Sequence, residues 1–152
     1  MTESAPGPTS HTYFSQRLRL HYVDWGSSDR PPLLLIHGGR DHCRNWDWTA
    51  AALRDAWHVI APDLRGHGDS DWPEESAYQH ADVGLDVIAI CATLAEPPLV
   101  IGASMGGAGS LVAQGVVDPQ LFRGLVLVDI TPDVDMEGGK RIIAFMAAHP
   151  DG

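Results

Sequence analysis

Apolar side chains recur along the chain in two distinct patterns. Residues 12–25 alternate apolar and polar positions in two short runs, which predicts an antiparallel pair of half-buried strands. Four later runs are apolar at every position, as is typical of strands buried on both faces of a sheet. These runs are residues 33–36, 59–61, 99–101 and 125–128.

Segments with a helical spacing of apolar or small residues lie between and after the buried runs. They are residues 45–56, 81–94, 104–117 and 137–148. Strands that alternate with helices in this way predict an α/β fold with a mostly parallel, doubly wound sheet. Residues 1–10 are polar and contain Pro and Gly, which predicts a flexible tail.

Composition and charge narrow the classes of partner. The 152 residues suit one domain, and 20 acidic against 10 basic side chains give a net charge of −10. A negatively charged surface disfavours binding to nucleic acids and to anionic lipids. No apolar stretch approaches the roughly 18 residues of a spanning helix, and Cys43 and Cys91 fit a reducing compartment better than a disulfide framework. We therefore expect a cytoplasmic protein without a nucleic-acid or membrane partner.

The sharpest motif is the G-x-S-x-G sequence at residues 102–106, between a buried strand and a helix. A tight turn there projects the Ser104 hydroxyl above the sheet edge, and flanking glycines let the strand and helix approach closely. The N–H of Met105, at the helix N-terminus, is then a candidate oxyanion donor. An ordinary glycine-rich turn remains an alternative. A nucleotide-binding turn is disfavoured because neither G-x-G-x-x-G nor a Gly-Lys-Ser/Thr sequence is present.

Two further loops follow buried strands. His37-Gly38-Gly39 exposes backbone N–H groups, and the N–H of Gly39 is the best candidate for a second oxyanion donor, with a plain glycine turn as the alternative. His37 itself is expected to be structural. In the loop 63–70, Asp63 and Arg65 are predicted to form structural ion pairs, and His67 is disfavoured as a catalytic base.

The sequence predicts no metal site and no cofactor. Asp41, His42 and Cys43 are adjacent, but they lack any recognised ligand spacing.

These motifs together resemble the N-terminal half of an α/β-hydrolase fold enzyme. Residues 37–39, 63–70, 102–107 and 125–129 occur in the family's order. The resemblance implies that residues 11–135 form the N-terminal part of the hydrolase core and that 136–152 begin a cap or lid. It also implies that Ser104 is the nucleophile, as in the esterase, perhydrolase and C–C hydrolase members.

The resemblance leaves the catalytic acid and base less well defined. Asp129 follows the last buried run and matches the acid of some family members, although a structural role at a strand end is the alternative. Asp133 and Asp135 are expected to be loop residues. His149 is the only histidine after Ser104, but it ends the last predicted helix, so the base is expected outside this chain.

The family core has about two strands more than this sequence predicts, so the sheet is expected to be incomplete at its C-terminal side. An unpaired apolar edge would demand a partner, either the remaining C-terminal segment or a second copy.

The resulting expectation is a serine hydrolase that cleaves a small carboxylic ester or related carbonyl substrate through an acyl-enzyme. C–C bond hydrolysis and cofactor-free perhydrolysis would use the same residues. An inactive truncated fragment or a ligand-binding module is the alternative outside catalysis.

Overall fold

The structure is a computed structural model that describes residues 7–74, 77–133 and 135–148. Six strands, a short 3₁₀ helix and four α-helices are described within these ranges. In chain order they are β1 (Thr9–Ser15), β2 (Leu18–Asp24), β3 (Pro32–Ile36), the 3₁₀ helix (Cys43–Trp46), α1 (Asp47–Leu53), β4 (His58–Pro62), α2 (His80–Cys91), β5 (Leu99–Ala103), α3 (Ser104–Val116), β6 (Gly124–Val128) and α4 (Met136–Ala148).

The strands form one sheet in the order β1-β2-β4-β3-β5-β6. The first two strands pair antiparallel, and β2 continues antiparallel onto β4. The other neighbours, β4 with β3, β3 with β5 and β5 with β6, are parallel. The predicted antiparallel pair and the mostly parallel sheet are therefore confirmed.

The strand β3 is apolar at every position because both of its faces are buried. Leu34 and Ile36 point to one face and join the core formed with α2 and α3. Leu33 and Leu35 point to the other face and pack with Ala50 of α1. Both faces are covered by helices, so all five positions of β3 are buried.

Two boundaries differ from the sequence prediction. The strand β1 begins at Thr9, which pairs with Asp24, so the last two residues of the expected 1–10 tail lie in the sheet. The helix expected over residues 45–56 is a 3₁₀ turn from Cys43 followed by the short helix α1. The imidazole of His42 caps this turn by accepting a hydrogen bond from the Arg44 N–H, which starts the helical backbone earlier than apolar spacing indicated.

The outer edge of β6 carries exposed apolar side chains. Among the described residues no strand pairs with this edge, and Val126 and Val128 are 46% and 40% exposed. The helix α4 also exposes Ile142, Ile143 and Phe145. Within the ranges that the structure covers, no helix has the length and apolar character needed to cross a membrane.

Candidate active site

Ser104 lies at the sharp turn between β5 and α3. Its backbone φ is +44°, a left-handed value that costs a non-glycine residue energy, and its side chain is exposed. A Cβ added at Gly102 would lie 2.7 Å from Gly107 Cα, and one at Gly106 would lie 2.4 Å from the carbonyl oxygen of His37. The strand, the helix and the loop after β3 can meet this closely only because both positions lack a side chain.

Main-chain donors approach Ser104 from the helix side. The N–H of Met105 belongs to the first turn of α3, where N–H groups have no acceptor within the helix. Ala103, the N-cap, provides no side-chain hydrogen bond to this turn. The positive end of the helix dipole and at least one N–H are therefore available beside the hydroxyl.

The glycine loop after β3 also contacts Ser104. A Cβ at Gly38 would lie 3.3 Å from Ser104 Cβ, so this backbone is in contact with the serine. A Cβ at Gly39 would meet no atom within 4 Å, and the Gly39 N–H donates to no acceptor in the described part of the chain. The structure thus brings Ser104, Met105 and the glycine loop together.

Two histidines fix this loop through main-chain hydrogen bonds. His37 is fully buried; its Nε2 accepts the Leu64 N–H at 2.9 Å, and its Nδ1 donates to the carbonyl of Gly38 at 2.6 Å. Burial lowers the pKa of His37, which keeps this imidazole neutral and able to accept. His67 Nε2 accepts the Arg40 N–H at 3.1 Å, and its Nδ1 donates to the Arg65 carbonyl at 2.9 Å.

These contacts give His37 the structural role expected of it. Both ring nitrogens of His67 are likewise hydrogen-bonded to main-chain groups. No described histidine hydrogen-bonds to Ser104, and His149 lies outside the described residues. The described histidines nearest this loop, His37 and His67, are thus bound to main-chain groups rather than to Ser104.

Asp129 lies at the end of the strand next to Ser104. Ala103 and Val128 are the last paired residues of β5 and β6, so Ser104 and Asp129 both follow directly after the same pair. Asp129 is exposed and has a φ of +55°. Asp135, in contrast, accepts the N–H groups of Glu137 and Gly138 at the start of α4.

Arg65 and Asp63 have the structural roles predicted for them. Arg65 is 1% exposed and forms a two-pronged ion pair with Asp86, with both N–O distances at 2.7 Å. Asp63 accepts the His21 ring at 2.7 Å and the N–H groups of Cys43 and Asp69. Burial alone would raise the pKa of Asp63, but these donors outweigh burial and leave that pKa below its usual value.

The structure groups Cys43 with side chains other than Asp41 and His42, its neighbours in the sequence. Cys43 lies beside His21 and Asp63, within the described residues, and all three are buried. Asp41 instead accepts the His42 N–H, and His42 accepts from Arg44. The sequence offered little signal for His21, since a single histidine in an alternating strand is common.

Comparisons with known proteins agree with this architecture. A family model described as alpha/beta hydrolase fold matches residues 31–151. An esterase of Mycobacterium tuberculosis is 32% identical over 129 residues, covering 83% of this chain and 41% of the esterase. A 2-(acetamidomethylene)succinate hydrolase of Mesorhizobium japonicum is 33% identical over 122 residues, covering 80% of this chain and 42% of that protein.

A crystal structure of an alpha/beta hydrolase from Novosphingobium aromaticivorans superposes with a TM-score of 0.81 at 30% identity, covering 94% of this chain and 51% of that one. The chain therefore spans about half, or somewhat less, of the length of these relatives. Since the family model covers most of the sequence and the architectures agree, the chain belongs to the α/β-hydrolase fold family.

Proposed function

We propose that this chain carries the nucleophile half of a serine hydrolase that cleaves a small carboxylic ester or a related carbonyl compound. The observation that carries the proposal is the position of Ser104. This exposed serine has a strained backbone and lies between a glycine loop and the N-terminus of α3. A strained strand-to-helix turn of this kind is the nucleophile elbow of the family.

The proposed reaction proceeds through an acyl-enzyme. The Ser104 oxygen attacks the substrate carbonyl carbon as its proton passes to a histidine, and the N–H groups of Gly39 and Met105 stabilise the oxyanion. The histidine then protonates the leaving alkoxide, and water attacks the ester of Ser104 to release the acid. Asp129, beside Ser104 at the end of β6, is the proposed acid that orients the histidine.

The base is proposed to come from a segment that the relatives have and the described residues lack. Support comes from the two nearby histidines, His37 and His67, whose ring nitrogens all bind main-chain groups. The exposed edge of β6 is the surface where the strands of such a segment would pair, with a second copy of this chain as the other candidate. Free, buried Cys43 and Cys91 fit the cytoplasmic setting that we propose.

C–C bond hydrolysis and perhydrolysis would use the same serine and oxyanion donors. The relatives include an esterase and a 2-(acetamidomethylene)succinate hydrolase, so the substrate chemistry varies among similar proteins. For the chain alone, a ligand-binding module without turnover is the second candidate, because the rings of His37 and His67 are both engaged with main-chain groups.

A fluorophosphonate probe and a panel of p-nitrophenyl esters test the proposal. We expect labelling and hydrolysis when the chain is combined with a C-terminal α/β-hydrolase segment that supplies a histidine, and little labelling of the chain alone. The variant Ser104→Ala should abolish both signals, whereas Ser28→Ala, at an exposed serine in a turn, should change neither. Hydrolysis that persists in Ser104→Ala would refute the proposal, and peracid formation from acetate and peroxide would identify the perhydrolase chemistry.

A further inference from the structure

His21, Cys43 and Asp63 form a buried cluster of three potential metal ligands. Their exposed fractions are 7%, 2% and 1%, and one ligand atom of each lies within 4.8 Å of the others. They come from β2, from the start of the 3₁₀ helix and from the residue after β4. We propose that this cluster binds a divalent cation of the zinc class, at a site separate from Ser104 and independent of the proposed hydrolase function.

The donor set matches this class of cation. An imidazole nitrogen, a thiolate sulfur and a carboxylate oxygen are the three ligand types that Zn²⁺ takes in proteins. Together with a dication, the Cys43 thiolate, the Asp63 carboxylate and a neutral His21 give a net charge of zero. This neutrality lowers the cost of burying the charges, which is high for an uncompensated carboxylate.

The proton balance of binding is simple. The thiol of Cys43 releases its proton to solvent as the sulfur–metal bond forms. The Nδ1 of His21, which now contacts Asp63 Oδ2 at 2.7 Å, gives up its hydrogen bond and uses its lone pair for the metal. The imidazole remains neutral because its proton moves to Nε2, which has Ser10 Oγ at 3.1 Å as an acceptor.

The surroundings already orient two of the ligands. The Ser10 hydroxyl holds the far side of the His21 ring, which is the outer contact that metal-binding histidines usually make. The N–H groups of Cys43 and Asp69 hold the Asp63 carboxylate, at 2.7 and 3.1 Å. Metal–ligand bonds of about 2.0–2.1 Å would separate Nδ1 and Oδ2 to about 3.3 Å in a tetrahedral site, so these atoms need to move apart by only a fraction of an ångström.

A cavity gives access to the cluster and room for a fourth ligand. It has a volume of about 320 Å³, and its lining includes the three proposed ligands together with Ser10, His42 and Asp69. Arg44 also lines the cavity, but its guanidinium is paired with Asp47 at 2.7 Å, which reduces repulsion of a cation. A water molecule in this cavity would complete four-coordination.

Cobalt(II) is the probe that tests the site directly, because a cobalt–thiolate bond absorbs in the near ultraviolet. We expect one Co²⁺ per chain, a thiolate charge-transfer band and displacement of the band by Zn²⁺. The variant Cys43→Ser should lose the band, whereas Cys91→Ser, which removes a buried thiol outside the cluster and its cavity, should retain it. His21→Gln and Asp63→Asn should each weaken binding by at least about tenfold.

A chain that gives no thiolate band, or a band that survives in Cys43→Ser, would overturn the proposal. Circular dichroism shows whether each variant is folded. If Cys43→Ser does not fold, the unmodified chain decides the question through native mass spectrometry and nitrogen NMR. A single zinc adduct with the His21 proton on Nε2 supports the site, and a His21 ring that keeps its proton on Nδ1 in excess zinc refutes it.

Discussion

The imidazole of His67 accepts a hydrogen bond from the backbone N–H of Arg40 at 3.1 Å across 27 residues of sequence. Its neighbour His37, with a ring centroid 5.2 Å away, accepts the N–H of Leu64 in the reverse direction. The loop that contains Gly39 and the loop 63–70 are therefore held together by two reciprocal contacts. The orientation of the Gly39 N–H depends on both rings. His37 also donates to the carbonyl of Gly38, in the same peptide group as the Gly39 N–H, and His67 accepts the N–H of Arg40, the next residue.

Replacing His67 with Phe should loosen the glycine loop without emptying the space that the ring fills. We expect the Arg40 amide to exchange faster with solvent and the free energy of unfolding to fall by about 1 kcal/mol, the net value of one hydrogen bond. In an active, complete enzyme kcat should fall by at least about tenfold, because the oxyanion donor is no longer held in place. Hydrogen-exchange NMR on the chain measures the first effect.

The variant His67→Gln is the matched control, since its amide oxygen can accept the same N–H and should restore much of the protection. His80→Ala, at the exposed first residue of α2, should leave the Arg40 amide unchanged. Equal protection of that amide in His67→Phe and in the unmodified chain would show that His67 does not hold the loop.

His37 should make the stability of the chain fall as the pH is lowered through slightly acidic values. Its pKa in the folded state lies below the ordinary imidazole value of about 6.5, because burial disfavours the charged ring. Below about pH 6.5 the unfolded chain binds this proton more readily than the folded chain, so unfolding becomes more favourable as the pH falls. Urea denaturation between pH 7.5 and pH 5 measures the slope.

The variant His37→Gln should flatten this slope, because the glutamine side chain does not titrate. Asp63 cannot produce the same slope, since its lowered pKa gives stability that is present above its unfolded value of about 3.9 and is lost only at lower pH. A slope between pH 7.5 and 5 that is unchanged in His37→Gln would assign it to other groups.

Local sequence patterns predicted the central sheet well because the relevant information is local. A fully apolar run such as β3 is buried on both faces. The glycines around Ser104 indicate that the backbones of the neighbouring strand, helix and loop approach closely. The order of strands within the sheet and the exposed edge of β6 depend instead on pairing between distant segments.

The contacts that organise the site were harder to predict for the same reason. The partners of His37 and His67 lie 27 residues away, and the cluster of His21, Cys43 and Asp63 joins segments up to 42 residues apart. Each of these side chains is unremarkable in its own stretch of sequence. Only the folded sheet brings them together, because the loops after the parallel strands β3 and β4 meet at one edge and β2 pairs antiparallel beside β4.

Ser104→Gly should stabilise the chain while removing the nucleophile. The φ of +44° is unfavourable for serine and acceptable for glycine, so relief of strain should add about 0.5–1 kcal/mol to the free energy of unfolding. Guanidinium denaturation gives the difference. Ser28→Gly, at a serine without a positive φ, should be neutral or destabilising, and an equal gain in both variants would argue against strain at Ser104.

Two glycines of α3 should respond oppositely to the same substitution. Gly106→Ala should destabilise the chain by several kcal/mol, because the new Cβ would lie 2.4 Å from the carbonyl oxygen of His37 and 2.7 Å from an Ile36 methyl. Gly115→Ala meets open space and should stabilise the helix by up to about 1 kcal/mol. Thermal denaturation of both variants measures the contrast, and a destabilised Gly115→Ala would contradict the helical geometry described for that position.

Two ion pairs with the same N–O distance should contribute very differently to the free energy of unfolding. Arg65 and Asp86 are buried and lie 2.7 Å apart, whereas Arg123 and Glu96 are about half exposed at the same distance. Asp86→Ala should cost about 3–5 kcal/mol, because it leaves the Arg65 guanidinium buried with too few partners. Glu96→Ala should cost about 1 kcal/mol or less, since water replaces the lost carboxylate. Urea denaturation at two salt concentrations separates the pairs, because only the exposed one should weaken with salt; comparable losses in the two variants would refute the buried character of the Arg65–Asp86 pair.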